Sequence, residues 1–188
     1  AEVLFGDVNP SGKLPMTFPV RLEDSAPIAL DDYGPDVANY PEGVFIGYRW
    51  YEKQGIAPLF PFGHGLSYTT FEYSGLEIAT PADGDAVAVV TATVTNSGER
   101  AGAETVQLYL GDVEASVERP AKELRGFTKV FLQPGESRRI EIPLGLRDLS
   151  FWDVESGDWK AEPGAFEVML GASVADIRLR DRFTYRPR

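Results

Sequence analysis

The chain has 188 residues, a formal net charge of −11 and no cysteine. This length suits one large domain, or one complete domain with part of another, and needs no disulfide to hold a core. Lack of cysteine excludes thiolate metal sites and cysteine nucleophiles, and the acidic balance argues against nucleic acid or anionic lipid as a partner. No apolar run approaches the roughly 20 residues of a membrane span.

The first residues, AEVLFG, predict the last turn of a helix with Gly6 as the left-handed residue that closes it. There is no initiator Met and no helix-capping residue ahead of this turn. Because a chain rarely starts in the middle of an element, we expect it to be the C-terminal piece of a longer protein.

Residues 1–70 are rich in Pro, Gly, Tyr and Phe and show little periodicity. We predict short strands at 13–19 and 44–51. Residues 58–68 contain too many Pro and Gly for a regular element, yet too many aromatic rings for a solvated linker. We therefore expect this stretch to bury its rings against another part of the protein.

From Phe71 onward the pattern changes to short strands separated by turn residues. Apolar side chains alternate in several of them, as in Ile140, Ile142 and Leu144, which should share one face. Such spacing without a helical pattern predicts an antiparallel β-sandwich. The predicted strands are 71–79, 86–96, 104–111, 122–132, 136–144, 148–153, 158–162, 164–172 and 176–184.

Three residues are candidates for contact with a substrate: Trp50, Tyr51 and His64. His64, the only histidine, could act as a general base or metal ligand, but no cysteine, acidic cluster or nucleophile turn accompanies it. We favour a structural role in its Gly-rich turn. Trp50 and Tyr51 could line a sugar-binding rim, and burial at an interdomain contact is the alternative that we favour.

Carboxylates gather at 31–42 and at 153–158. A glycosidase needs two of them roughly 5–10 Å apart, but neither group has the apolar setting that would separate an acid from a base. We interpret both as solvated turns. The sequence DGD at 83–85 lacks the further ligands of a calcium loop.

Several stretches together resemble the C-terminal part of the family 3 glycoside hydrolases, the family of β-glucosidases. In the first half these are NPSGKLPMTFP at 9–19, YPEGVFIGYRWY at 40–51 and PLFPFGHGLSYTTF at 58–71. Further stretches are similar to the fibronectin type III-like module that closes many members: VTNSG at 94–98, QLYL at 107–110, PAKELRGF at 120–127 and PGAF at 163–166.

The resemblance implies a mainly β fold, in which an antiparallel immunoglobulin/fibronectin III-like β-sandwich follows an irregular segment from the end of an α/β sandwich domain. Residues 1–20 would be the tail of that α/β domain, 21–70 a crossing segment and 71–188 the fibronectin-like module. Asp158-Trp159 resembles the setting of the family nucleophile, but Gly157 stands where Ser is expected. We interpret this stretch as a hairpin turn.

The implied activity belongs to the whole enzyme: hydrolysis of terminal β-linked sugars with retention, through a covalent glycosyl-enzyme, without metal or organic cofactor. The family's catalytic Asp and Glu lie upstream, so no residue here receives a catalytic, cofactor or metal role. The expected partners are the barrel and α/β domains and, through them, a neutral oligosaccharide or glycoside, with no nucleic acid or membrane.

Two alternatives come from other classes of protein. A free-standing carbohydrate-binding or adhesion module would show an exposed row of aromatic residues on one strand face. A small enzyme with its own carboxylate pair would need a base and a shaped pocket. Sugar specificity stays open, as does the compartment, whether periplasmic, secreted or cytoplasmic.

Overall fold

The computed structural model describes residues 1–34, 36–82 and 84–187. Strands within these ranges form three antiparallel sheets, ordered β1-β2-β5, β4-β3-β8-β9 and β6-β7. The mainly β, antiparallel prediction is therefore confirmed. The strands are β1 (Phe71–Ala79), β2 (Ala86–Asn96), β3 (Gly102–Asp112), β4 (Glu123–Leu132), β5 (Ser137–Gly145), β6 (Phe151–Asp153), β7 (Asp158–Lys160), β8 (Gly164–Ser173) and β9 (Asp176–Tyr185).

The three-stranded and four-stranded sheets pack against each other around one core. Ile140, Ile142 and Leu144 of β5 are at most 5% exposed, so their predicted common face is confirmed. The matching alternation places Leu108 of β3 and Val168 of β8 in the same core with no exposed surface. Each such side chain contributes about 1.5–3 kcal/mol when fully buried, so period-two patterning accounts for the sandwich.

The N-terminal segment, residues 1–70, contains short helices: α1 (Glu2–Phe5), α2 (Ala26–Ala29) and α3 (Tyr48–Gln54), with a 3₁₀ turn at Leu22–Asp24. Helix α1 ends at Gly6, whose φ of 85° is left-handed as predicted. The strand predicted at 44–51 is wrong, because Gly47 adopts a φ of 55° and ψ of −134° that turns the chain into α3. Helix α3 then buries two of the aromatic side chains that suggested a strand.

Two other predicted strands also differ from the structure. At 13–19 there is only an isolated bridge between Phe18 and Phe60, because the two prolines in this stretch have no N–H to donate. At 148–153 the chain first forms helix α4 (Leu146–Leu149), where the Asp148 carboxylate accepts a hydrogen bond from the backbone N–H of Gly145 at 2.8 Å. Strand β6 then pairs with β7, so the predicted hairpin is present, but Asp158 and Trp159, which were interpreted as its turn, lie in strand β7 after the turn at 154–157.

None of the helices described here has both the length and the apolar character to cross a membrane.

Candidate functional site

The N-terminal segment covers part of the outer face of the four-stranded sheet. The ring of Tyr48 lies 5.0 Å from that of Phe62 and 6.1 Å from that of Tyr109 on β3 (centroid to centroid). The backbone N–H of Leu124 on β4 donates to the Tyr48 hydroxyl at 2.9 Å. Tyr109 is left without exposed surface, and this burial raises the pKa of its hydroxyl above the ordinary value.

Gln107 of β3 is the central polar contact beneath the segment. Its Nε2 donates to the carbonyl oxygens of Gly63, at 3.2 Å, and of Ala172, at 2.7 Å, while its Oε1 accepts from the Tyr109 hydroxyl at 2.6 Å. A buried amide is costly unless it is hydrogen-bonded in this way. Gly63 has a φ of +80°, and a β-carbon there would overlap the Gln107 amide.

Asn9 connects both ends of the segment to the sandwich. Its Nδ2 donates to the carbonyl oxygen of Ala101 at 3.0 Å. Its Oδ1 accepts from the Ser67 hydroxyl at 3.0 Å and from the backbone N–H of Tyr68 at 2.8 Å. One side chain thereby joins three separate parts of the chain.

Charged groups reinforce the same boundary. Glu104, 5% exposed, accepts hydrogen bonds from the Tyr73 hydroxyl at 2.8 Å and from Lys13 Nζ at 3.3 Å. Burial, followed by the nearby Glu104 charge, raises the pKa of Tyr73. Glu52 pairs with Lys122, yet burial is the larger influence and raises the pKa of this carboxyl.

A buried ion network lies at the edge of this boundary. Arg119 reaches Asp112 at 3.1 Å and Glu123 at 2.8 Å, and all three side chains are at most 10% exposed. Arg49, at the start of α3, approaches Glu123 at 3.4 Å. The network therefore joins the N-terminal segment to strands β3 and β4.

The structure separates the three candidate substrate contacts. Trp50 is 6% exposed and donates from Nε1 to the carbonyl oxygen of Asp24 at 3.0 Å, and Tyr51 beside it is 7% exposed. His64 is half-buried and stacks on Phe60 with ring centroids 5.4 Å apart. Whether any of the three touches a substrate stays a prediction.

The crowded carboxylates form turns. Asp32 accepts hydrogen bonds from Asn39, which lower the pKa of its carboxyl. Asp153 accepts from the Ser156 hydroxyl at 2.8 Å with the same effect on its pKa. In the described ranges no three His, Asp or Glu side chains are placed to hold a metal ion. Asp83 of the DGD sequence lies outside those ranges.

Sequence reasoning missed one pair of aromatic residues. Trp152 and Trp159 are cross-strand partners in the β6–β7 hairpin, 50% and 43% exposed, with ring centroids 5.4 Å apart. Residues 158–159 drew attention only as a turn. The available signal was the near-symmetric FWD and DWK around the turn VESG, which places both rings on one face.

The N-terminal segment also leaves much apolar surface open. Of the 26 large hydrophobic side chains that are exposed among the described residues, 18 lie in residues 1–70. Leu4 and Phe5 are the extreme cases, at 84% and 82% exposed. Contiguous apolar surface of this kind is typical of sites that bind another protein, a ligand or a membrane.

Comparison with known families agrees with both halves of this architecture. The profile of the glycosyl hydrolase family 3 C-terminal domain matches residues 1–68, and that of the fibronectin type III-like domain matches residues 104–174. The chain belongs to glycoside hydrolase family 3. It corresponds to the C-terminal part of family members, as the resemblance predicted, and the fibronectin III-like class of the sandwich is confirmed.

The family 3 relatives are longer proteins. The chain is 49% identical to thermostable β-glucosidase B of Acetivibrio thermocellus over 96% of its own length and 24% of that protein. It is likewise 49% identical to a probable β-glucosidase I of Aspergillus niger, of which it spans 22%. A crystal structure of the family 3 β-glucosidase of Bifidobacterium adolescentis superposes on 98% of the chain with a TM-score of 0.91 and 42% identity, over 27% of that protein.

Proposed function

We propose that this chain is the C-terminal portion of a retaining β-glucosidase-type hydrolase that removes terminal β-linked sugars from oligosaccharides or glycosides. The observation that supports this most strongly is the match to relatives named β-glucosidases over nearly the whole chain, N-terminal segment and sandwich together. The catalytic Asp and Glu that the family resemblance implies then belong to the remainder of the enzyme.

The contribution of this chain is to brace the catalytic domains. Residues 1–20 form the tail of the α/β domain, 21–70 the crossing segment and 71–188 the fibronectin-like module. Gln107, Asn9 and Glu104 fasten the segment to the sandwich, while the exposed side chains of Leu4 and Phe5 face the barrel and α/β domains. Such bracing affects catalysis because a cleft between domains loses rate when its geometry shifts by about 1 Å.

The buried positions of Trp50 and Tyr51, packed with Ala26 and Ile56 of the same segment, favour a structural role within the segment over a sugar-binding rim. The same holds for His64, whose ring stacks on Phe60 and whose backbone oxygen accepts from the N–H of Leu14 at 2.8 Å. These residues would act by positioning the segment.

Activity is tested with the complete enzyme and with this chain alone. The complete enzyme should hydrolyse an aryl β-glucoside and release the β-anomer first by NMR, whereas the 188-residue chain should release nothing. Release of the α-anomer, or hydrolysis by the chain alone, would contradict the proposal.

Bracing is tested by a double variant of the complete enzyme, Leu4→Ser with Phe5→Ser. Because burying these side chains between domains stabilises the enzyme, the variant should melt several degrees lower, as roughly 25 cal/mol is lost per Å² of apolar contact. Val154→Ser is the control, since Val154 is 85% exposed in the turn of the β6–β7 hairpin, outside the N-terminal segment. Equal melting temperatures for both variants would contradict the bracing role.

A further inference from the structure

A groove of about 730 Å³ lies beside the β6–β7 hairpin, between that hairpin, the loop at 116–120 and Arg49. Its volume is within the roughly 300–1,000 Å³ of small-molecule sites. Trp152 and Trp159 both line it. The groove is separate from the candidate residues Trp50, Tyr51 and His64. Of the carboxylate turns, only Asp153 and Glu155 line it.

The two indole rings are held in place by their neighbours. They meet in a T-shaped contact, and the guanidinium of Arg147 stacks over the ring of Trp159. The two residues nevertheless remain 50% and 43% exposed. Rigid aromatic surfaces of this kind bind a flat apolar partner with little loss of conformational entropy.

The groove is electrically balanced although the whole chain carries −11. Four basic and four acidic side chains line it. Those in its floor are held by ion pairs, such as Arg125 to Glu123 at 2.9 Å and Arg119 to Glu123 at 2.8 Å. Fixed donors and acceptors without net charge suit a neutral ligand rich in hydroxyl groups, rather than an anion or a cation.

We propose that this groove binds a neutral β-glucan chain, with pyranose rings stacked on Trp152 and Trp159 and hydroxyl groups hydrogen-bonded to the charged side chains around them. A pyranose offers both an apolar C–H face and a ring of hydroxyls, which matches the two kinds of surface in the groove. The choice of a β-glucan over other neutral glycans rests on the proposed β-glucosidase function. The site makes no covalent change; it would keep a long substrate attached to the enzyme.

Affinity electrophoresis of the complete enzyme, in native gels with and without soluble β-glucan, tests this site. The variants are Trp152→Ala and Trp159→Ala, with Trp152→Phe to retain an aromatic ring. Val154→Ala is the matched control, because it truncates an exposed side chain that also lines the groove, between the two tryptophans in sequence, but has no aromatic face for a sugar ring to stack on. Hydrolysis of an aryl β-glucoside, measured in parallel, reports the proposed function separately.

The wild-type enzyme should be retarded by β-glucan, and each Trp→Ala variant should bind about tenfold or more weakly, as expected for the loss of a central aromatic anchor. Trp152→Phe and Val154→Ala should stay retarded, and all variants should hydrolyse the aryl glucoside within about twofold of wild type. Unretarded wild-type enzyme, undiminished retardation of both alanine variants, or retardation by α-glucan instead would overturn the proposal. If the wild-type enzyme does not hydrolyse the aryl glucoside, the proposed function is overturned, whatever the gels show.

Discussion

The amide of Gln107 and the backbone of Gly63 are in direct contact, 44 residues apart in sequence, with a hydrogen bond of 3.2 Å from Nε2 to the carbonyl oxygen. The left-handed backbone of Gly63 brings the N-terminal segment close enough for this bond. The contact leaves no room for a side chain at Gly63.

Gly63→Ala should therefore lower the free energy of unfolding by about 2–4 kcal/mol, combining left-handed strain with overlap in a packed site. Gly55→Ala is the matched control, since Gly55 has a φ of +65° but nothing within 4 Å of an added β-carbon. Its cost should be only the strain, about 1–2 kcal/mol. Equal losses in urea denaturation would show that the Gln107 contact is unimportant.

Arg119→Gln should destabilise the protein by about 3–5 kcal/mol, because it leaves the buried Asp112 carboxylate without an ion-pair partner among the described residues, while Glu123 keeps only Arg49 and Arg125. Arg139→Gln makes the same chemical change in an exposed pair with Glu77, where both side chains are more than 60% exposed. That control should cost no more than about 1 kcal/mol. The midpoints of denaturant unfolding of the two variants measure this difference. Similar midpoints would contradict the argument from burial.

Asp176→Asn should give a pH-dependent loss of stability. The hydrogen bond from Arg178 lowers the pKa of the Asp176 carboxyl below its ordinary 3.8, so its contribution is present above that value and disappears as the pH falls through the lowered pKa. At pH 7 the free energy of unfolding of the wild type should exceed that of the variant by no more than about 1 kcal/mol, because the pair is so exposed. This difference should vanish at acid pH. Glu141→Gln on β5 is the control for loss of an exposed carboxylate that has no ion pair among the described residues. A difference that grew on acidification would reverse the expected sign.

Trp50→Ala should affect stability more than sugar selectivity. The side chain is buried, so its removal should cost about 3–5 kcal/mol, whereas Trp50→Phe keeps most of the ring and loses mainly the bond to Asp24, about 1 kcal/mol. Melting temperature and the ratio of kcat/KM for a β-glucoside and a β-xyloside in the complete enzyme measure both properties. An unchanged melting temperature with an altered ratio would make Trp50 a substrate contact.

Local patterns predicted the sandwich well, because strands such as β5 alternate apolar and polar side chains with a period of two. They failed where a single residue redirected the chain. The positive φ of Gly47 begins helix α3 in an aromatic, β-branched run that was predicted to be a strand. The Asp148 side chain likewise caps helix α4 where the predicted strand at 148–153 should begin. Each of these is a local choice that composition does not reveal.

Long-range partners were beyond the sequence for a different reason. The polar nature of Gln107 gives no indication that its partner is Gly63, since a single sequence holds no information on distance between remote residues. Trp152 and Trp159 were missed although their symmetric spacing was visible, because Trp159 was considered only together with Asp158 and Trp152 was not considered. The hairpin register brought them together.

The position of Gln107 also bears on how the protein unfolds. If the N-terminal segment lifted away, the Gln107 amide would lose its bond to Gly63, and the Tyr109 ring would lose its cover by Tyr48. Segment and sandwich should therefore melt in one cooperative transition, and limited proteolysis near residue 70 should not release a sandwich of undiminished stability. The change in architecture at Phe71 marks where the strands begin, while the cooperative unit extends across it.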